Sequence, residues 1–234
     1  MEIDILYEDG QLLVCRKPAG VPVQSGKVGQ KDMVSILRNY RNGKEGDTYI
    51  GLVHRLDQPV QGVMVFAKTK MAAAGLSRQI TDGRMKKQYL AVTCGKPMKK
   101  QGALVDYLLK DGRTNTSSIV PEGTKGAKRA ELRYRIIAET PGYALAEIEL
   151  LTGRHHQIRV QMAGAGMPLA GDRKYNLSDA GQTEKYVTLA AHRLSFEHPV
   201  LKKEICFEGK PEGAIFKKFE SFPEKTDECK NLTE

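Results

Sequence analysis

The chain has 234 residues, 40% of them hydrophobic and 28% charged, which suffices for one large domain or two small ones with a real core. Its 37 Lys and Arg outnumber its 28 Asp and Glu, and the formal net charge of +9 points to an anionic partner such as RNA, DNA or an acidic membrane surface. The four cysteines (Cys15, Cys94, Cys206, Cys229) are far apart and form no C-x-x-C pair, so neither a zinc site nor a disulfide framework is expected.

No apolar run reaches membrane-spanning length, and the start MEIDILYEDG has neither a basic n-region nor an apolar h-region. The expectation is a cytoplasmic protein that does not contact membrane. The positive charge is concentrated. Between Arg84 and Arg135 there are 13 Lys or Arg against four acids, a surplus as large as that of the whole chain. A polyanion-contacting face explains that concentration better than general solubility does.

In chain order, the first strand is expected over Gln11–Lys17, ended by Pro18, Gly20 and Pro22. Asp32–Tyr40 has helical spacing with Met33, Ile36 and Leu37 on one face, and Asn42–Asp47 reads as a polar turn. Ile50–Leu56 precedes a loop and a strand over Gly62–Lys68. Lys70–Ile80 is an Ala-rich helix stopped near Gly83, and Gln88–Cys94 is a further strand. The polar, basic stretch Gly95–Arg129 reads as hairpins or loops. Ala130–Ala138 and Ala144–Leu150 alternate apolar and charged residues, as strands with one solvated face do.

Thr152–Gly164 is a loop entering a short helix, Ala190–Phe196 a late strand, and the segment after Gly209 is charged and thin in apolar residues. Antiparallel strands with helices inserted between them give an α+β architecture. The expected division is a catalytic domain over residues 1–210 and a charged tail over 211–234.

Two constellations could carry chemistry. The first is His54-Arg55-Leu56-Asp57, just before the Gly62–Lys68 strand. An Asp on a loop at the mouth of a sheet serves as nucleophile, general base, metal ligand or plain turn former. The second is Thr152 to Arg159, where a helix beginning near His155 would present backbone N–H groups to an anion, flanked by Arg154 and Arg159. The plain alternative is an amphipathic helix with Ile158 and Met162 turned inward. His155 and His156 are adjacent, diverge by ~100° on a helix, and make a poor metal grip. There is no G-x-x-x-x-G-K-[ST] and no G-x-G-x-x-G.

Gly51-Leu52-Val53-His54-Arg55-Leu56-Asp57, followed by Gly62 to Thr69, resembles the catalytic motif of RluA-like RNA pseudouridine synthases. Lys87 to Val92 is similar to that family's tyrosine motif, Leu150 to Val160 to its later arginine motif, continued by Pro168 to Tyr175, and His192 to Pro199 to its closing strand. The likenesses come in the family's order and cover roughly Ile3 to Glu208. The resemblance implies a pseudouridine synthase fold, a mainly antiparallel mixed sheet flanked by helices and loops around a catalytic cleft. The expectation that goes with it is a stand-alone catalytic domain with no amino-terminal S4-type RNA-binding module.

By the same resemblance Asp57 is the catalytic aspartate, Tyr89 the tyrosine that packs on the target base, and Arg159 the partner that pairs with Asp57. Arg55, Arg154 and Ile158 would meet the substrate. The implied reaction isomerises uridine in ribosomal RNA, or transfer RNA, with no cofactor and no metal, in a monomer. Departures are Val60-Gln61 where Thr-Ser is common, His155 where Thr is usual, and Gln161 where a His is common. The competing readings are a base-excising hydrolase and a non-catalytic RNA-binding or assembly factor on the same fold.

Overall fold

The computed structural model describes residues 3–27, 29–42, 48–95, 97–178 and 184–219. Most of the expected polar turn Asn42–Asp47 and the end of the expected tail lie outside the described residues. The chain divides into two units, residues 3–86 with 191–210 and residues 87–190 with 211–219.

The first unit opens on β1 (Asp4–Glu8), a strand that the sequence pattern did not suggest, paired antiparallel with β2 (Leu12–Lys17). After α1 (Met33–Arg41) come β3 (Gly51–Leu52), β4 (Gln61–Ala67) and α2 (Lys70–Thr81). Asp32 starts α1 by accepting from the Ser35 N–H while the Ser35 hydroxyl accepts from Asp32 N, a reciprocal cap. Thr69 caps α2 through the Ala72 N–H. β2 and β3 both pair antiparallel with β4.

β4 is buried along both faces, which fits its unbroken apolar run. Leu12, Val14, Val63, Val65 and Ala67 pack with Leu76 of α2 and with Leu194, Phe196, Ile205 and Phe207 in one core. The last four come from β10 (Leu189–Glu197) and β11 (Glu204–Glu208), which pair antiparallel. Gly62, with φ +128°, lies so close to β10 that a Cβ would sit 2.3 Å from the Ala191 carbonyl oxygen. Only glycine fits there.

The second unit is an antiparallel sheet in the order β5-β9-β8-β6-β7, from β5 (Lys86–Cys94), β6 (Gln101–Asp111), β7 (Thr116–Val120), β8 (Lys128–Thr140) and β9 (Tyr143–Leu150). The basic stretch expected as hairpins or loops thus holds one long hairpin, β6–β7. The helix α3 (Gln157–Gly164) lies against β6 and β7, with Val160 on Leu108 and Ala130. Ile215, Phe216 and Phe219, around a 3₁₀ turn, pack into a core with Leu90, Val92, Leu145 and Ala190. The first nine residues of the segment expected as a tail therefore carry core side chains.

The cysteine spacing gave no reason to expect a disulfide, yet Cys206 is disulfide-bonded. Among the described residues no helix is long and apolar enough to cross a membrane.

One buried cation fixes the loops of the first unit. Leu13, Cys15 and Lys17 share a face of β2, so Lys17 falls on the buried side and is 1% exposed. Its Nζ donates to the carbonyls of Pro18 (2.9 Å), Val21 (2.7 Å) and Gln58 (3.1 Å). It thereby joins the turn after β2 to the segment between β3 and β4. Burial pulls the Lys17 ammonium down to about 7, against the opposing pull of the Asp57 charge.

Lys17→Met leaves those three carbonyls without their donor, and should lower unfolding free energy by about 3 kcal/mol, read from denaturant midpoints. The folded value of about 7 lies below the ordinary lysine value of 10.5, so the unfolded chain holds the extra proton between them. Wild-type stability should rise with pH across that window relative to Lys17→Met; parallel pH curves for the two proteins would refute the assignment.

Candidate active site

In the first unit the HRLD segment crosses from β3 to β4. His54 is buried, and its Nε2 accepts the Val65 N–H of β4 at 3.1 Å, so the ring proton resides on Nδ1. This bond anchors the loop three residues ahead of Asp57. Leu56 and Val60 are buried on either side, and the Asp57 carbonyl accepts from Val60 N at 3.0 Å to close a turn. Asp57 itself is half-buried. Behind it stands Lys17, bound to the carbonyl of the very next residue. The position is thus defined by an imidazole, two apolar side chains and an ammonium. Arg55 points outward, exposed, with Nη2 3.3 Å from Gln24 Oε1.

In the second unit Tyr89 is buried on β5 opposite Ile148 of β9. Arg159, on α3, is 4% exposed and donates to Asp172 from Nε and Nη2, both at 2.7 Å. The carboxylate of Asp172 is fully buried, and its Oδ1 also accepts the backbone N–H of Lys174 (3.0 Å) and of Tyr175 (3.3 Å). A buried guanidinium and carboxylate in bidentate register satisfy each other as few arrangements do. Gly171, with φ +71°, sets up this turn where its backbone runs against the Tyr186 carbonyl.

The Arg159 guanidinium lies 5.2 Å from the centre of the Tyr175 ring. The Tyr175 hydroxyl oxygen accepts from Ser117 N at 2.8 Å and lies 2.7 Å from His156 Nδ1. Burial first, then the positive charges of Arg159, His155, Lys174 and Lys110, push His156 down to about 2, so the ring is neutral. His156 caps α3 in a left-handed conformation, φ 53°.

The helix starts two residues later than its expected origin near His155. Its entry is organised by Gln157, whose Oε1 accepts from Arg154 N and Thr152 Oγ1 while Nε2 donates to the Glu131 carbonyl. Ile158 is buried, and Arg154 is exposed with Nε on the Arg129 carbonyl at 2.9 Å. His155 and His156 stack at 3.8 Å instead of converging on an ion. Among the described residues no three His, Cys, Asp or Glu side chains form a metal-ligand set.

Asp57, Arg55, Tyr89, Arg154, Ile158 and Arg159 are thus each placed on a defined element, the first two in one unit and the other four in the second. Lys17 and Asp172 were not anticipated. Nothing in the β2 pattern singled out Lys17, since both faces of that strand are apolar, whereas the likeness over Pro168 to Tyr175 contained Asp172.

A family model described as RNA pseudouridylate synthase matches residues 11–164. Among curated relatives, an uncharacterized RNA pseudouridine synthase of Bacillus subtilis, YhcT, is 33% identical over 210 residues, covering 88% of this chain and 68% of its own length. Ribosomal large subunit pseudouridine synthase D of Zymomonas mobilis is 35% identical over 219 residues, with 88% and 68% covered. Among solved structures, human RNA pseudouridylate synthase domain containing 4 aligns with a TM-score of 0.74 and 26% identity, over 91% of this chain and 90% of that one. The α+β sheet described above is thus a pseudouridine synthase fold, and the chain belongs to the RNA pseudouridylate synthase family, isomerases that convert uridine to pseudouridine.

Proposed function

We propose that the chain isomerises uridine within ribosomal RNA through Asp57, as a cytoplasmic monomer that uses no cofactor, with residues 1–210 carrying the catalysis. The observation that carries this reading is the family's aspartate held half-buried on a short turn, with the Lys17 charge close enough to act on it. The ribosomal substrate is supported by the printed name of the Zymomonas mobilis relative, a ribosomal large subunit synthase.

The reaction breaks the N1–C1′ bond, turns the base, and joins C5 to C1′. C5 loses a proton and N1 gains one, so the product is an isomer and no water is consumed. The target nucleotide must leave its stack, at a cost of a few kcal/mol. Asp57 serves as the nucleophile, or takes a proton to leave a glycal. Tyr89 supplies a flat apolar face that lets a base rotate without escaping. Arg159 supplies permanent positive charge and Arg55 an exposed guanidinium for the strand.

Asp57→Asn should lower pseudouridine formation on ribosomal RNA by at least about a thousandfold while RNA affinity stays within a few-fold of wild type. Chemical mapping of the product alongside filter binding checks both. Retained product would eliminate Asp57, and a wild-type protein that binds but forms none would favour the assembly-factor reading.

A base-excising hydrolase would release uracil, whereas an isomerase keeps the base attached throughout. Chromatography of wild-type reactions should therefore find pseudouridine and no free uracil; uracil in proportion to substrate lost would overturn the isomerase reading.

A further inference from the structure

The concentration of positive charge between Arg84 and Arg135 does not form one uniform face. On the outer side of the second unit's sheet, cations of β8 meet acids of β9: Arg135 Nη2 lies 2.9 Å from Glu147 and Arg133 Nη1 3.6 Å from Glu149. Arg129 pairs with Glu131 at 2.7 Å, and Lys100 with Glu139. Those acids draw down the field that the sequence count suggested.

A different group keeps its charge. Lys110, Arg113, Lys128, Arg154, Arg173 and Lys174 are exposed, and none makes an ion pair among the described residues. Lys110 lies at the end of β6 and Arg113 in the turn of the β6–β7 hairpin. Lys174 Nζ reaches the carbonyls of Asn115 (2.6 Å) and Thr114 (3.4 Å) on that turn, and Arg154 lies against Arg129 beside Lys128. Of the nearby acids, Asp172 is paired with Arg159, while Asp111, which accepts from Arg113 N and the Thr114 hydroxyl, stays ionised and offsets one of these six cations.

The hairpin tip is also fixed in place. His155 Nε2 lies 3.1 Å from Asn115 Oδ1 and its Nδ1 2.9 Å from Ser117 Oγ, while that hydroxyl donates to the His155 carbonyl. Gln161 Nε2 donates to Asp106 Oδ2 at 2.7 Å. Both residues are departures from the family pattern, and both tie α3 to the hairpin. A charged loop already ordered before binding loses little entropy when it meets its ligand.

We propose that the β6–β7 hairpin tip and the start of α3, bearing Lys110, Arg113, Lys174 and Arg154, form the surface that grips phosphates of the RNA strand, whereas the ion-paired outer face of β8 and β9 does not. This rests on the reading of the chain as an RNA-modifying enzyme. The run from Lys110 to Thr116 offers two cations against the one carboxylate of Asp111, with hydroxyls and an amide but no apolar side chain, which fits a phosphate backbone better than a lipid surface needing apolar anchors.

The test compares two variants that each remove two charges, Lys110→Gln with Arg113→Gln, and Arg133→Gln with Arg135→Gln. Affinity for a structured ribosomal RNA transcript is measured across a range of KCl. The hairpin pair should lower the slope of log K against log salt by about 1.5 and weaken low-salt binding by about tenfold or more. The β8 pair should change the slope by less than about 0.5 and leave pseudouridine yield unaltered. Equal losses in the two variants, or a loss confined to the β8 pair, would overturn the proposal. Vesicles with phosphatidylserine form a further arm; binding to them that depends on Lys110 and Arg113 would point to a membrane and overturn it as well. The salt slopes are independent of turnover, so a wild type that forms no pseudouridine would strike the catalytic reading while leaving this comparison decisive.

Discussion

The second unit is arranged around the buried pair of Arg159 and Asp172. Taking a guanidinium and a carboxylate out of water costs several kcal/mol per ion, and the pair persists only because nearly every polar atom finds a partner. Asp172 accepts two bonds from Arg159 and two backbone N–H groups of the following turn. That turn delivers Tyr175, whose ring lies beside the guanidinium and whose hydroxyl holds both His156 and the backbone of β7. Helix, turn and hairpin thus meet at this electrostatic contact, alongside the bonds that His155 and Gln161 make to the hairpin. An Arg159 held this way has few conformations to choose from.

The first unit uses a different device for a similar end. Lys17 carries its charge into the interior and spends it on three carbonyls, two of them before α1 and one directly after Asp57. Backbone oxygens of a tight turn, which loop residues usually leave to water, are satisfied from inside. The loop needs no helix or strand of its own to hold Asp57 in place.

The periodic elements were legible in the sequence. The β4 run, the Ala-rich α2 and the alternating β8 and β9 all lie where pattern puts them, because burial on one or both faces writes directly into residue order. Three features were not legible. β1 carries only one clear apolar pair, Ile5 and Leu6, and owes its strand to pairing with β2. β6 is eleven residues long but fully buries only Leu108, so it looks like loop until β8 supplies its hydrogen bonds.

Ile215, Phe216 and Phe219 are spaced among charges and gain meaning only from the core they enter. The site divides the same way. Motif likeness proposes Asp57, Tyr89 and Arg159 for the candidate site, whereas Lys17 and Asp172 act through contacts that only folding creates. The charge count shows the same limit, since Glu147 and Glu149 lie far along the chain from the arginines they neutralise.

The order in which the chain emerges during synthesis acquires a meaning from the two cores. The first is finished by Leu194, Phe196, Ile205 and Phe207, the second by Ile215, Phe216 and Phe219. Neither unit buries its apolar surface until nearly the whole described chain has left the ribosome, although β4 and β5 appear early. Sheet edges therefore wait uncovered for β10, β11 and the 3₁₀ turn, a period in which nascent chains are most open to association with one another. A protein so built gains its shape late and almost at once, with its final thirty or so described residues acting as the closing stitch for both halves.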